Sequence, residues 1–169
     1  MRIGLLSDTH SQLDGALKRH FAACDEVWHA GDIGDLSVTD RLAAFKPLRA
    51  VYGNIDSHVA RLQFKETEIF TLEGVKVMIT HIGGAYGKYP AKVKRLIQVE
   101  RPKLFICGHS HILRVMHDAT IGCLNMNPGA AGDHGFHHVR TVLRFTLSGG
   151  TIKDLEAIEL GKRGTCQEW

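Results

Sequence analysis

The sequence predicts an α/β fold in which two β-sheets pack together with helices outside. Three observations predict it. Apolar, β-branched runs alternate with helix-period stripes in the first half of the chain, and short strands separated by Gly, Asn, Asp and Ser turns dominate the second. No repeat, low-complexity tract or linker divides the 169 residues, which we read as a single domain spanning 1–169.

Residues 3–7 read as a strand, followed by Leu13, Ala16, Leu17 and Phe21 at helical spacing, with Ser11 and Asp14 as a capping pair. A second strand covers 26–30. Leu36, Thr39, Leu42 and Phe45 form the next stripe, with Ser37 and Asp40 at its start and Pro47 ending it before a strand at 48–52. This β-α-β-α-β order is the signature of a parallel sheet. Residues 68–72 and 75–80 flank Glu73-Gly74 as a hairpin, 91–100 form a helix with Val93, Leu96 and Ile97 inward, and 104–107 are a buried strand. Strands at 112–116, 121–126, 139–147 and 152–158 then read as a meander or second sheet.

Composition excludes several function classes. With 44% hydrophobic and 23% charged residues the chain is globular, and no apolar run approaches the roughly 18 residues of a membrane span. The N-terminus reaches Asp8 after a short apolar stretch without a cleavage pattern, so a cytoplasmic location is expected. The net charge of +3 (21 basic, 18 acidic) is dispersed, which gives no dedicated nucleic-acid-binding feature. Cys24, Cys107, Cys123 and Cys166 lack CxxC spacing and read as free thiols.

Five times, an apolar strand runs into a polar cluster rich in metal ligands: Asp8-Thr9-His10, Gly31-Asp32-Ile33-Gly34-Asp35, Gly53-Asn54-Ile55-Asp56, His81-Ile82-Gly83-Gly84 and Gly108-His109-Ser110-His111. Taken singly, each has a plain explanation as a cap, a turn or a hydrogen-bonded histidine. Taken together they do not, because strand ends in such folds aim side chains at one place. Mixed oxygen and imidazole donors suit manganese, iron, zinc, cobalt or nickel, with manganese as the expected ion. The donors are too many for one closed site and suit two divalent metal ions sharing a carboxylate, an arrangement that hydrolyses phosphoesters with a bridging hydroxide.

The ordered motifs DxH, GDxxD, GNxD, a lone histidine and GHxH resemble the calcineurin-like metallophosphoesterase superfamily, in particular its small bacterial and archaeal phosphodiesterase branch. The resemblance covers residues 1–129, including an Asn127-Pro128-Gly129 turn. It implies a four-layer αββα sandwich of two mixed β-sheets with a dinuclear site at one rim. By that resemblance Asp8, His10, Asp32 and His111 hold one ion, and Asp32, Asn54, His81 and His109 the other, with Asp32 bridging. Asp35 and Asp56 are expected to orient ligands.

Two departures stand out. Ile55 occupies the place where larger relatives carry a leaving-group histidine, so water, His10 or His58 must supply the proton. The loop after His81 differs from the family's His-Gly-His, and its Tyr86 and Lys88 are candidates for substrate contact, as is His134 beyond the NPG turn. His137 and His138 read as loop and surface. The basic residues around 92–103 read as a solvated helix face, and His20, His29 and His117 receive no chemistry. The sequence therefore points to a phosphodiesterase acting on a small phosphoester, with a phosphomonoesterase or a non-catalytic scaffold like the retromer subunit of this fold as alternatives. A nuclease ranks last. An exposed edge strand of the second sheet is suited to homo-oligomer pairing.

Overall fold

The computed structural model describes residues 1–169. The elements, in chain order, are β1 (Arg2–Leu6), α1 (Ala16–His20), β2 (Glu26–His29), α2 (Ser37–Phe45), β3 (Leu48–Ala50), α3 (His58–Gln63) and β4 (Thr67–Leu72). They continue with β5 (Val75–Thr80), α4 (Ala91–Glu100), β6 (Leu104–Ile106), β7 (Leu113–Asp118), β8 (Cys123–Pro128), β9 (Val139–Ser148) and β10 (Thr151–Lys162). Two five-stranded sheets result, ordered β10-β9-β1-β2-β3 and β4-β5-β6-β8-β7.

Three apolar layers hold the sheets and helices together. Ile3, Leu5, Trp28, Val77, Ile79, Ile106 and Phe145 fill the space between the sheets. Leu17, Phe21, Leu42 and Val142 bury the outer face of the first sheet under α1 and α2, and Met78, Val93, Ile97 and Phe105 do the same for the second under α4. Alternate residues along a strand point to opposite faces, so β1 sends Ile3 and Leu5 inward and Leu6 outward. The result is an αββα sandwich.

Some expectations shift. β9 pairs antiparallel with β1 and β10 antiparallel with β9, so both belong to the first sheet, where the alternating apolar residues Leu143, Phe145 and Leu147 of β9 complete the inter-sheet core. Helix α3 is short, with no apolar stripe to announce it, and starts at Ser57, whose hydroxyl accepts from the Ala60 amide at 3.3 Å. The caps also move. Asp14 accepts from the Ala16 amide at 2.8 Å, while Ser11 turns away to accept from the Asp35 amide at 2.9 Å. Asp35, not Ser37, caps α2 by accepting from the Ser37 amide at 2.8 Å. The cysteines are all free, three of them buried.

What matters for the site is strand direction. β1, β2 and β3 are mutually parallel, and so are β5, β6 and β8. The carboxyl ends of both parallel sets open on one rim, where a fold of this kind presents its side chains. A buried ion pair braces that rim. Arg140 at the start of β9 is fully buried and pairs with fully buried Asp14, and its Nε lies 3.2 Å from Asp133 on the loop of residues 132–138.

Removing one partner of a buried pair leaves the other charge uncompensated. Asp14→Ala is expected to lower unfolding free energy by about 3–5 kcal/mol in urea denaturation. Lys76→Ala, which breaks a half-exposed pair with Glu100 at 2.7 Å, should lower it by less than about 1 kcal/mol.

Candidate metal centre

Each candidate ligand follows directly on a parallel strand. Asp8 and His10 follow β1, Asp32 follows β2, Asn54 follows β3, His81 follows β5, and His109 and His111 follow β6. Two groups of donor atoms result, Asp8 with His10 and His111, and Asp32 with His81 and His109, each within 4.8 Å. The groups adjoin, since His10 Nε2 lies 3.7 Å from Asp32 Oδ2 and His81 Nε2 lies 3.9 Å from Asp8 Oδ1. Asn54 lines the same cavity, of about 490 Å³, with His10, Asp32, His109 and His111.

The loops are zipped to one another by backbone bonds. Asp8 and His10 amides donate to the Gly31 and Asp32 carbonyls at 2.9 and 3.1 Å, and the Gly108 amide donates to the His81 carbonyl at 3.0 Å. Close approach needs glycine at Gly53, where a Cβ would lie 2.0 Å from Asp32 Oδ1 and 2.3 Å from the Asp32 amide nitrogen. Backbone strain concentrates here. Nine residues other than glycine have positive φ, and five of them are Asp8, His10, Asp32, His109 and His111. Asp and His tolerate this region better than most residues, yet each instance costs about 1–3 kcal/mol and persists only where the surroundings enforce it.

The donor set fits divalent cations. Asp8 and Asp32 are 0% and 3% exposed, and Asp8 Oδ1, His10 Nε2 and His81 Nε2 are buried without a hydrogen-bond partner. The orphaned atoms are the ones that face the cluster. The tautomer of His81 is set by its Nδ1, which donates to the Ala30 carbonyl at 2.8 Å and leaves Nε2 facing Asp32 Oδ1 at 3.1 Å. Burial works against a charged His81, but the carboxylates of Asp32 and Asp8 beside its ring outweigh it and raise its pKa. For Asp32, burial pushes upward, and the His81 imidazole beside it and the Ile55 amide win, holding its carboxyl below the usual range. Burial dominates at His10 and lowers its pKa. The field of this rim attracts positive charge.

Asp56 is buried and orients the centre through two loops, accepting from the Gly34 amide at 2.8 Å and the Gly53 amide at 2.6 Å. Asp35 is different. Its exposed carboxylate is spent on the start of α2, and only its backbone amide reaches back, to Ser11 beside His10. Asn127 holds the GHxH loop by donating to the Gly108 carbonyl at 2.8 Å and to Ser110 Oγ at 3.0 Å.

The candidate substrate residues separate. His134 lines the cavity over the ligands, its ring 4.6 Å from that of His10. His137, read from sequence as surface, also lines it, half-buried and 5.3 Å from the His111 ring. Tyr86 and Lys88 line neither of the two cavities that touch the ligands. Their loop closes on itself, with the Lys88 amide donating to the Ala85 carbonyl at 2.8 Å, and the Tyr89 hydroxyl binds Asp118 at the end of β7. His58 is exposed at the first position of α3.

Sequence reasoning missed His29. Its ring is fully buried, Nδ1 accepts from the Gly31 amide at 3.1 Å, and Nε2 therefore carries the proton and donates to Thr9 Oγ1 at 2.9 Å. Thr9 passes the chain on to the Ile33 carbonyl at 3.0 Å, so a neutral imidazole couples the Asp8 loop to the Asp32 loop. The available signal was a histidine on the wrong face, since β2 otherwise carries Val27 and Trp28 into apolar layers. Burial lowers the His29 pKa to about 4. The unfolded chain then takes up a proton near 6.5 that the folded chain refuses until about 4, so this stability is complete above 6.5 and is lost as pH falls through that window. Melts of metal-free protein should show a loss of about 3 kcal/mol from pH 7 to 4, and His29→Gln should abolish that component.

Comparison with known proteins shows the family and the fold. The calcineurin-like phosphoesterase superfamily domain matches residues 1–150. A probable metallophosphoesterase of Methanocaldococcus jannaschii is 29% identical over 136 residues, covering 77% of this chain and 68% of that protein. In fold, the chain is similar to a structure described as a novel archaeal phosphodiesterase (TM-score 0.73, 22% identity, 95% of this chain and 100% of that one). It is also similar to Vps29 of Entamoeba histolytica complexed with zinc (TM-score 0.65, 18% identity, 94% and 99%). With its fold, its strand-end ligands and a match over most of its length, the chain belongs to the calcineurin-like phosphoesterase superfamily.

Proposed function

We propose that this protein is a phosphodiesterase that uses two divalent ions, with manganese as the working metal, to hydrolyse a small phosphoester. The observation that carries the reading is the pair of buried carboxylates, Asp8 and Asp32, whose surrounding imidazole and carboxylate atoms lack partners. A scaffold has no physical reason to bury such a set, because unpaired buried charges are among the most destabilising groups a fold can carry. A complete donor set argues for catalysis over the scaffold alternative.

Bound divalent ions would supply activation of water and neutralisation of the phosphoryl oxygens. The rest falls to the chain. Asp32, whose Oδ2 lies 3.7 Å from His10 Nε2, would hold an ion between the two donor groups, Asn54 would add a neutral oxygen, and His10 and His134 line the same cavity and would face the phosphoryl group. Water's oxygen bonds to phosphorus, the P–O bond to one ester arm breaks, and that arm leaves as an alcohol with one of water's protons. Ile55, 48% exposed in the cavity wall, offers no proton to that oxygen. Arms that leave readily as anions are therefore favoured.

The test is hydrolysis of bis(p-nitrophenyl) phosphate by chelator-stripped protein with single metals restored. Manganese should restore turnover, and Asp32→Asn should reduce it about 100-fold or more while the fold is retained. In a series of aryl and alkyl diesters, the rate should rise with leaving-group acidity. A faster rate on p-nitrophenyl phosphate than on the diester would make the protein a monoesterase. Failure of every metal to restore turnover to folded, metal-loaded protein would favour the scaffold.

A further inference from the structure

A second cavity, of about 400 Å³, opens on the other side of Asn54. Asn54 and His81 line it, and Ile82, Pro90, Val93 and Leu96 give it an apolar wall. Its polar floor is satisfied internally, since the Thr67 hydroxyl donates to Thr80 Oγ1 and the Thr80 hydroxyl to the Glu66 carbonyl, both at 3.2 Å. Two cations stand at the rim. Lys92 is tethered by Glu66 at 2.5 Å, and Arg61 is held by the metal-site loop itself, donating to the Asp56 and Asn54 carbonyls at 3.0 Å. The Arg61 guanidinium also lies over the Tyr52 ring, 5.1 Å from its centroid.

A phosphomonoester has one organic arm, for which the cavity of about 490 Å³ over the ligands is sufficient. The second cavity is of similar size, shares Asn54 with the first, and is walled by apolar groups under fixed donors. That is the lining a small-molecule subsite presents. Building on the phosphodiesterase reading, we infer that the cavity bounded by Tyr52, Arg61, Lys92 and Leu96 binds the second ester arm of a phosphodiester. The arm it fits carries a ring, aryl or nucleoside, with apolar faces toward Pro90 and Leu96 and hydrogen-bond acceptors toward Arg61 and Lys92. Substrate selection then lies largely on α3 and α4.

Filling the cavity tests this. Leu96→Trp narrows it from the α4 side, and Lys92→Trp does so from a side chain 66% exposed, where an indole leaves folding intact. Manganese-loaded protein is assayed on bis(p-nitrophenyl) phosphate and on methyl p-nitrophenyl phosphate, which share a leaving group and differ in the second arm. Both variants should lower kcat/KM about tenfold for the first substrate and less than about twofold for the second. Equal losses on the two substrates, or no loss in either variant, would overturn the subsite while leaving the phosphodiesterase reading intact. Absence of turnover in the unmodified protein with either diester would instead overturn the phosphodiesterase reading, and the subsite with it.

Discussion

Two carboxylates buried from solvent are the constraint on which the rest of this structure depends. Asp8 and Asp32 follow adjacent parallel strands with almost no exposure, and the atoms around them are imidazole nitrogens and backbone amides. The His109 amide donates to Asp8 Oδ2 and the Ile55 amide to Asp32 Oδ1, both at 3.2 Å, so the two carboxylates organise loops from β3 and β6 as well as their own. Hydrogen bonds satisfy part of the charge. The remaining demand for positive charge is what a cation meets, and it explains why the His81 pKa is raised despite burial.

The sandwich meets that demand through strand direction. Six parallel strands in two sheets end on one rim, and the five strand ends that carry ligands reach it without long excursions. Short loops have a price in backbone conformation, which here is the positive φ of Asp8, His10, Asp32, His109 and His111. The strain is held by neighbours with few alternatives. Asp56 clamps Gly34 to Gly53, Asn127 clamps the GHxH loop, and the neutral ring of His29 joins the first two ligand loops from beneath. Arg140 closes the assembly by reaching Asp14 and Asp133, which fixes the loop that carries His134 and His137.

Much of this was legible in the sequence. The apolar periods of β1, β2, β5, β6 and α4 are strong, and the ligands announce themselves by falling immediately after those strands. What was hidden depends on tertiary partners. Nothing local distinguishes β9 and β10 as strands of the first sheet, because the choice rests on which apolar face the inter-sheet core needs filled. The role of His29 requires knowing that Gly31 and Thr9 lie on either side of its ring. Tyr86 and Lys88 have the right chemistry for a phosphate, but their loop folds back on itself and they line neither cavity at the ligand loops. Tyr52 and Arg61 show the converse, ordinary residues whose proposed role emerges only when residues of α3 and α4 line one cavity with Asn54.

The most direct test of the central claim is manganese titration of chelator-stripped protein, followed by electron paramagnetic resonance. Two adjoining donor groups, with Asp32 proposed as the ligand between them, predict two ions per chain and a spin-coupled spectrum, with the coupling lost in Asp32→Ala. A single ion per chain, or two that remain magnetically independent, would contradict the shared centre.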